Sequence, residues 1–144
     1  MKTIVFKYRP LSNRFSPVIV AGLQMGIQWE VAEFYVDSGA AFTLMRAKFA
    51  EDCGLDYTKG RKVFAQVGDG SFIPVFLNDM TMQVGTVRFP AHIGISEKLG
   101  LRFHLLGRLD VFKRFRICFH EERQVVTFQP VEMADKKAGA VRIP

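Results

Sequence analysis

Cysteine is scarce in this chain. Its two copies, Cys53 and Cys118, stand far apart, with neither a CxxC spacing nor a neighbouring histidine. That pattern excludes a disulfide-dense scaffold and a zinc ribbon, and two free, buried thiols are expected. Long apolar runs are missing as well. No stretch reaches the roughly eighteen residues that a membrane-spanning helix needs, and Lys7 interrupts the first apolar segment, Thr3 to Phe6, before it attains signal-peptide length. The chain therefore reads as soluble and cytoplasmic, with no membrane partner. Histidine is sparse, and His92, His104 and His120 show no metal-ligand spacing, so structural or surface roles are expected and neither a metal nor a cofactor is called for. Internal repeats and low-complexity tracts are absent too.

Among what is present, hydrophobic residues are 49% of the chain and charged residues 24%, a balance that lets 144 residues build one folded domain. A chain of this size buries about 70% of the surface exposed when unfolded. The net charge of +6 favours polyanions at long range. The basic residues are nevertheless scattered, and no zinc-finger, helix-turn-helix or RNA-recognition pattern organises them. Nucleic acid is not the expected partner, and a basic RNA-binding barrel is kept only as an alternative reading.

Short β-rich segments recur at close spacing: Thr3–Tyr8, Val18–Met25, Trp29–Val36, Lys62–Val67, Phe72–Leu77, Met80–Val84, Val87–Ile93, Arg116–His120 and Gln124–Phe128. Gly26, Gly68-Asp69-Gly70, Asn78-Asp79 and Gly85-Thr86 punctuate them as turns, which predicts a mainly β barrel or sandwich. Two short helices are expected, Arg46–Cys53 closed by Gly54 and Arg108–Arg114. Residues 1–130 read as the domain and 131–144 as a loosely attached C-terminal tail. Trp29 and the phenylalanines read as core, Asp56, Asp79 and Asp110 as solvated caps beside turns, and the basic residues between Arg102 and Arg123 as a solvated face.

One stretch, EFYVDSGAAFTLM from Glu33 to Met45, places a carboxylate, Asp37, at the end of an apolar strand. An ionised group there needs partners to offset its desolvation. Ser38 supplies a hydroxyl, and Gly39 a close-approaching backbone with a free N–H. By itself, Asp-Ser-Gly is also an ordinary turn. About seventy residues on comes HLLGRLDVFKRFRICF, with Leu105-Leu106-Gly107-Arg108 ahead of a strand.

The pair Asp37-Ser38-Gly39-Ala40 and Leu105-Leu106-Gly107-Arg108, in this order in a β-rich chain, resembles the retroviral-type (retropepsin-like) aspartic proteases. The resemblance covers about Pro17 to Phe128. It implies a closed β-barrel of the acid-protease fold with one or two short helices, acting as a homodimer on a peptide or protein substrate. It further implies that Asp37 is catalytic within an active-site loop of Ser38, Gly39 and Ala40. Leu106, Gly107 and Arg108 would support that loop, and Val67, Gly68, Asp69, Gly70 and Ser71 would form a flap, with Asp69 a turn residue only. One departure concerns Ala41, where retroviral members often carry an aspartate able to pair with the motif arginine; Arg108 would then need another anion. A second is Leu109, which separates Arg108 from Asp110. Keeping the fold without the chemistry, a dimerisation or peptide-binding module is the alternative.

Overall fold

A computed structural model describes residues 2–99 and 103–132. The expected tail beyond 132 lies outside the described residues. The strands are β1 (Ile4–Lys7), β2 (Arg9–Leu11), β3 (Arg14–Ser16), β4 (Val18–Met25), β5 (Gln28–Val36), β6 (Thr43–Arg46), β7 (Arg61–Gln66), β8 (Phe72–Val84), β9 (Val87–Ser96), β10 (His104–Leu106), β11 (Phe115–His120) and β12 (Val125–Pro130). One helix, α1 (Ala47–Asp52), and a 3-10 turn at Tyr57–Lys59 follow β6.

Seven strands run in the order β4-β5-β10-β6-β9-β8-β7, and an extra β4–β8 pairing closes the sheet into a ring. Among the described residues, strand β7 pairs only with β8, so the β7–β8 hairpin extends from the ring. Two of the ring's seams, β5–β10 and β6–β9, are parallel. Parallel neighbours cannot be joined by a tight turn, so each seam ties together segments distant in sequence. The Asp37 segment and the Leu106-Gly107-Arg108 segment meet at one of them. A second, antiparallel sheet, β1-β12-β11, packs on the ring. Its inward residues Phe115 and Phe128 are buried, and the Phe115 ring makes edge-to-face contacts with Phe89 of β9 at a centroid distance of 5.8 Å and with Phe128 at 5.4 Å. Such contacts add specific geometry to area burial.

The structure departs from expectation in several places, each for a local reason. Asn78 and Asp79 do not form a turn. They lie within β8, opposite Ile93 and His92, and the Asn78 amide donates to the Tyr57 carbonyl at 3.0 Å. Arg108–Arg114 is a series of turns rather than a helix, because Asp110 takes a left-handed φ of 68° that a helix cannot contain. Asp110 is not a solvated cap either. It is buried, and its Oδ2 accepts the His92 backbone N–H at 2.9 Å and faces His92 Nδ1 at 2.9 Å. Those bonds and the nearby Lys113 hold its carboxyl below the usual range, against the opposing effect of burial. Trp29 is only partly covered, with the Arg88 guanidinium stacked 4.5 Å from its ring centroid. Phe15, Phe64, Phe72 and Phe119 are exposed rather than core. Arg114, in the supposed solvated face, is half-buried with its guanidinium over the Phe89 ring at 5.4 Å. Both thiols are free, but Cys118 is exposed and Cys53 half-buried.

Candidate active site

Asp37 stands at the end of β5, where Phe34 and Val36 enter the core and the strand stops. Its backbone N–H donates to the Leu106 carbonyl at 3.0 Å, continuing the β5–β10 seam by one bond. Its side-chain Oδ1 accepts the Gly39 N–H at 2.9 Å, and its own carbonyl accepts the Ala40 N–H at 3.2 Å. The turn thus folds the loop back so that a backbone dipole points at the carboxylate, a charge-assisted bond that fixes its orientation. Asp37 remains partly open to solvent, and Ser38 and Gly39 are exposed.

Beneath the loop, the Gly107 segment acts as its scaffold. The Arg108 and Leu109 N–H groups donate to the Ala40 and Ala41 carbonyls, both at 2.9 Å, and the Gly107 N–H donates to the buried Thr43 Oγ1 at 3.1 Å. A Cβ at position 107 would lie 2.1 Å from the Phe42 carbonyl oxygen and 2.9 Å from that of Ala40. Glycine is therefore required by packing there. The support that Arg108 gives runs through its backbone, and its side chain has no carboxylate partner among the described residues. His104, three residues before Gly107, is buried, and its Nδ1 accepts the Arg46 N–H at 3.1 Å. An acceptor nitrogen means a neutral ring. Burial, aided by the Arg46 charge, pushes its pKa down to about 4.

The β7–β8 hairpin closes through Val67 to Ser71: Val67 N–H donates to the Ser71 carbonyl at 2.8 Å, and Gly70 N–H to that of Val67 at 2.8 Å. Gly70 supplies the required positive φ of 87°. Asp69 Oδ1 accepts from both the Ser71 N–H and its hydroxyl, which lowers the carboxyl's pKa and commits it to the turn. Between this hairpin and the Asp37 loop lies a cleft of about 930 Å³. Its lining includes Asp37, Gly39 and Ala40 on one side and Val67, Gly68, Asp69 and Gly70 on the other, with Arg108 also at the wall. An apolar cluster that includes Leu44, Ala65, Val75, Leu99 and Leu105 packs around it.

No family model matches the chain. A crystal structure of a retropepsin-like aspartic protease from Rickettsia conorii superposes with a TM-score of 0.59 over 88% of this chain and 89% of that one, at 19% identity. The fold is that of a retropepsin-like aspartic protease. A weaker structural match, to EIAV protease complexed with an inhibitor, has a TM-score of 0.46 and 14% identity over 69% of this chain and 88% of that one. In sequence, the chain is 34% identical over 85 residues to DNA damage-inducible protein 1 of Yarrowia lipolytica (strain CLIB 122 / E 150), covering 57% of this chain and 21% of that protein. The chain thus spans about a fifth of the length of this curated relative.

Within the retropepsin-like fold, the sequence-selected residues fall into three places. Asp37, Gly39, Ala40 and Arg108 line the cleft together with Val67 to Gly70, whereas Ser38 and Ser71 are exposed but do not line it. Leu106 and Gly107 are buried below it. Sequence reading missed Thr43, which braces the scaffold, and Lys98, which lines the cleft, whereas His104 takes the structural role expected of it by accepting the Arg46 N–H. Only Thr43 left a signal, as a lone hydroxyl in the apolar run Phe42-Thr43-Leu44-Met45. No helix among the described residues is long and apolar enough to cross a membrane.

Proposed function

We propose that the chain is an aspartic endopeptidase whose active site forms from two copies, each contributing Asp37. The observation that carries this reading is the Asp37 carboxylate, oriented by the Gly39 N–H at 2.9 Å and facing a cleft under the β7–β8 hairpin of the retropepsin-like fold. One carboxylate alone is a feeble base toward water at neutral pH. Two carboxylates a few ångströms apart cannot both ionise, so they share a proton and act as one acid and one base. The chain holds a single Asp-Ser-Gly, so the second carboxylate comes from a symmetric partner.

In this scheme the ionised Asp37 takes a proton from a water held between the two carboxylates. The resulting hydroxide forms a bond to the peptide carbonyl carbon while the protonated Asp37 donates to the carbonyl oxygen. Collapse of the tetrahedral intermediate breaks the C–N bond: the amine leaves with a proton from the first Asp37, and the second Asp37 recovers its proton from the hydroxyl it had protonated as the carbonyl re-forms. Neither metal nor cofactor takes part. Gly39 would offer its carbonyl to the bound peptide, Ser38 hydroxyls would interlock across the axis, and the Val67 to Ser71 turn would act as the flap, covering the substrate. An extended peptide would bind by strand addition in the apolar cleft.

The test is cleavage of a mixed peptide library by the wild-type chain and by Asp37→Asn. Cleavage products from wild-type alone, suppressed by a hydroxyl-bearing mimic of the tetrahedral intermediate, support the reading. A folded dimer that yields none would instead assign the fold to a peptide-binding module.

A further inference from the structure

Among the described residues, four charged side chains line the cleft: Asp37, Asp69, Lys98 and Arg108. Their states differ. Asp69 is committed to the Ser71 N–H and hydroxyl, and Asp37 is oriented by Gly39. Among the described residues, Lys98 and Arg108 are anchored only through their backbones, Lys98 by its N–H to Ser96 Oγ at 3.0 Å and Arg108 by its N–H to the Ala40 carbonyl at 2.9 Å. Both side chains are exposed, and neither has a carboxylate partner among the described residues. Ala41, in the loop that Arg108 supports, offers no charge to neutralise the guanidinium. The remaining lining is apolar, small or neutral, including Phe42, Leu44, Phe64, Leu99 and Leu105.

We infer that the cleft selects peptides carrying a carboxylate, held by Lys98 and Arg108, beside residues that fill the apolar subsites. This rests on the peptidase reading and names its substrate class. The chemistry follows from the arrangement. A bound peptide displaces water from the cleft, so a carboxylate brought near two cations there interacts more strongly than it would on an open surface. Arg108 presents a planar fork suited to a bidentate carboxylate contact, and Lys98 adds a flexible point charge. A neutral glutamine of the same shape gains neither charge-assisted bond.

The experiment scans one glutamate, and separately its glutamine isostere, through each position of a library peptide, with the C-terminus either free or amidated. Values of kcat/KM are measured for wild-type, Lys98→Met and Lys98→Glu, and binding of the same peptides to Asp37→Asn is followed by fluorescence anisotropy. At one or more positions, wild-type should favour glutamate over glutamine by about tenfold at low salt, with the preference shrinking as ionic strength rises. Lys98→Met should reduce that ratio and Lys98→Glu should push it toward or below unity, which a merely structural role of Lys98 would not do. If peptides are cleaved but the ratio stays near one at every position, the selectivity inference is overturned while the peptidase reading stands. If nothing is cleaved yet Asp37→Asn binds glutamate peptides more tightly, the charge selection holds and the peptidase reading fails. Equal binding of both peptide series without cleavage overturns the inference as well.

Discussion

Replacing Gly107 with alanine probes the joint on which the Asp37 loop rests. The added methyl would sit 2.1 Å from the Phe42 carbonyl oxygen, 2.3 Å from its carbonyl carbon and 2.9 Å from the Ala40 carbonyl oxygen. All three contacts are backbone, so no side chain can swing away. The chain must separate by roughly 1 Å to restore ordinary contact distances. That displacement strains three hydrogen bonds: Gly107 N–H to Thr43 Oγ1, Arg108 N–H to Ala40 O and Leu109 N–H to Ala41 O. At about 1 kcal/mol for each bond, the expected loss is about 3 kcal/mol, a large share of the ~5–15 kcal/mol that holds a domain together. Urea unfolding followed by tryptophan fluorescence measures it, with Gly68→Ala as the control, because a Cβ at Gly68 meets nothing within 4 Å. The control should stay within about 0.5 kcal/mol of wild-type. A Gly107→Ala protein that loses less than about 1 kcal/mol at an unchanged m-value would refute the close-packed joint.

Acidification should destabilise the fold through His104. Its pKa in the folded chain is about 4 against an ordinary 6.5, so the unfolded chain binds the proton first as pH falls. Stability is therefore intact above pH 6.5 and drains away toward pH 4, by up to about 3 kcal/mol, and His104→Gln should flatten that slope in pH-dependent urea melts. Asp110→Ala removes the acceptor of the His92 N–H and leaves alanine at a φ of 68°, so it should cost about 2–3 kcal/mol; Asp110→Asn, which tolerates that φ and keeps one acceptor, should cost less in the same assay. A thermal melt in which the two Asp110 variants match wild-type would remove the His92 clamp from consideration.

Much of the framework was legible because strand alternation and turn chemistry agree. Strand β4 falls on its expected bounds, and β5, β7, β11 and β12 fall within a residue or two. Asn78-Asp79 misled because turn-forming residues were overridden by tertiary pairing: β8 runs unbroken from the hairpin into the ring, and Asn78 uses its amide to hold Tyr57 rather than to bend the chain. The helix expected at Arg108–Arg114 failed because its local amphipathic pattern said nothing of His92, eighteen residues upstream, which holds Asp110 in the left-handed region. Strands β6 and β10 are too short to register as periodic, and their positions come from the parallel seams. At the site, the Asp37 and Gly107 motifs carried their own signal. Lys98 did not, since one lysine in a loop is ordinary until the fold brings it to the cleft.

A site shared between two chains is tested most directly by mixing wild-type with Asp37→Asn at a fixed total concentration at which the chain is dimeric, and following hydrolysis of a cleaved peptide. A carboxylate drawn from each copy makes every mixed dimer inactive, so an equal mixture should run at about one quarter of the wild-type rate, falling as the square of the wild-type fraction. A rate of about one half, linear in that fraction, would mean that each chain works alone and would contradict the two-copy site.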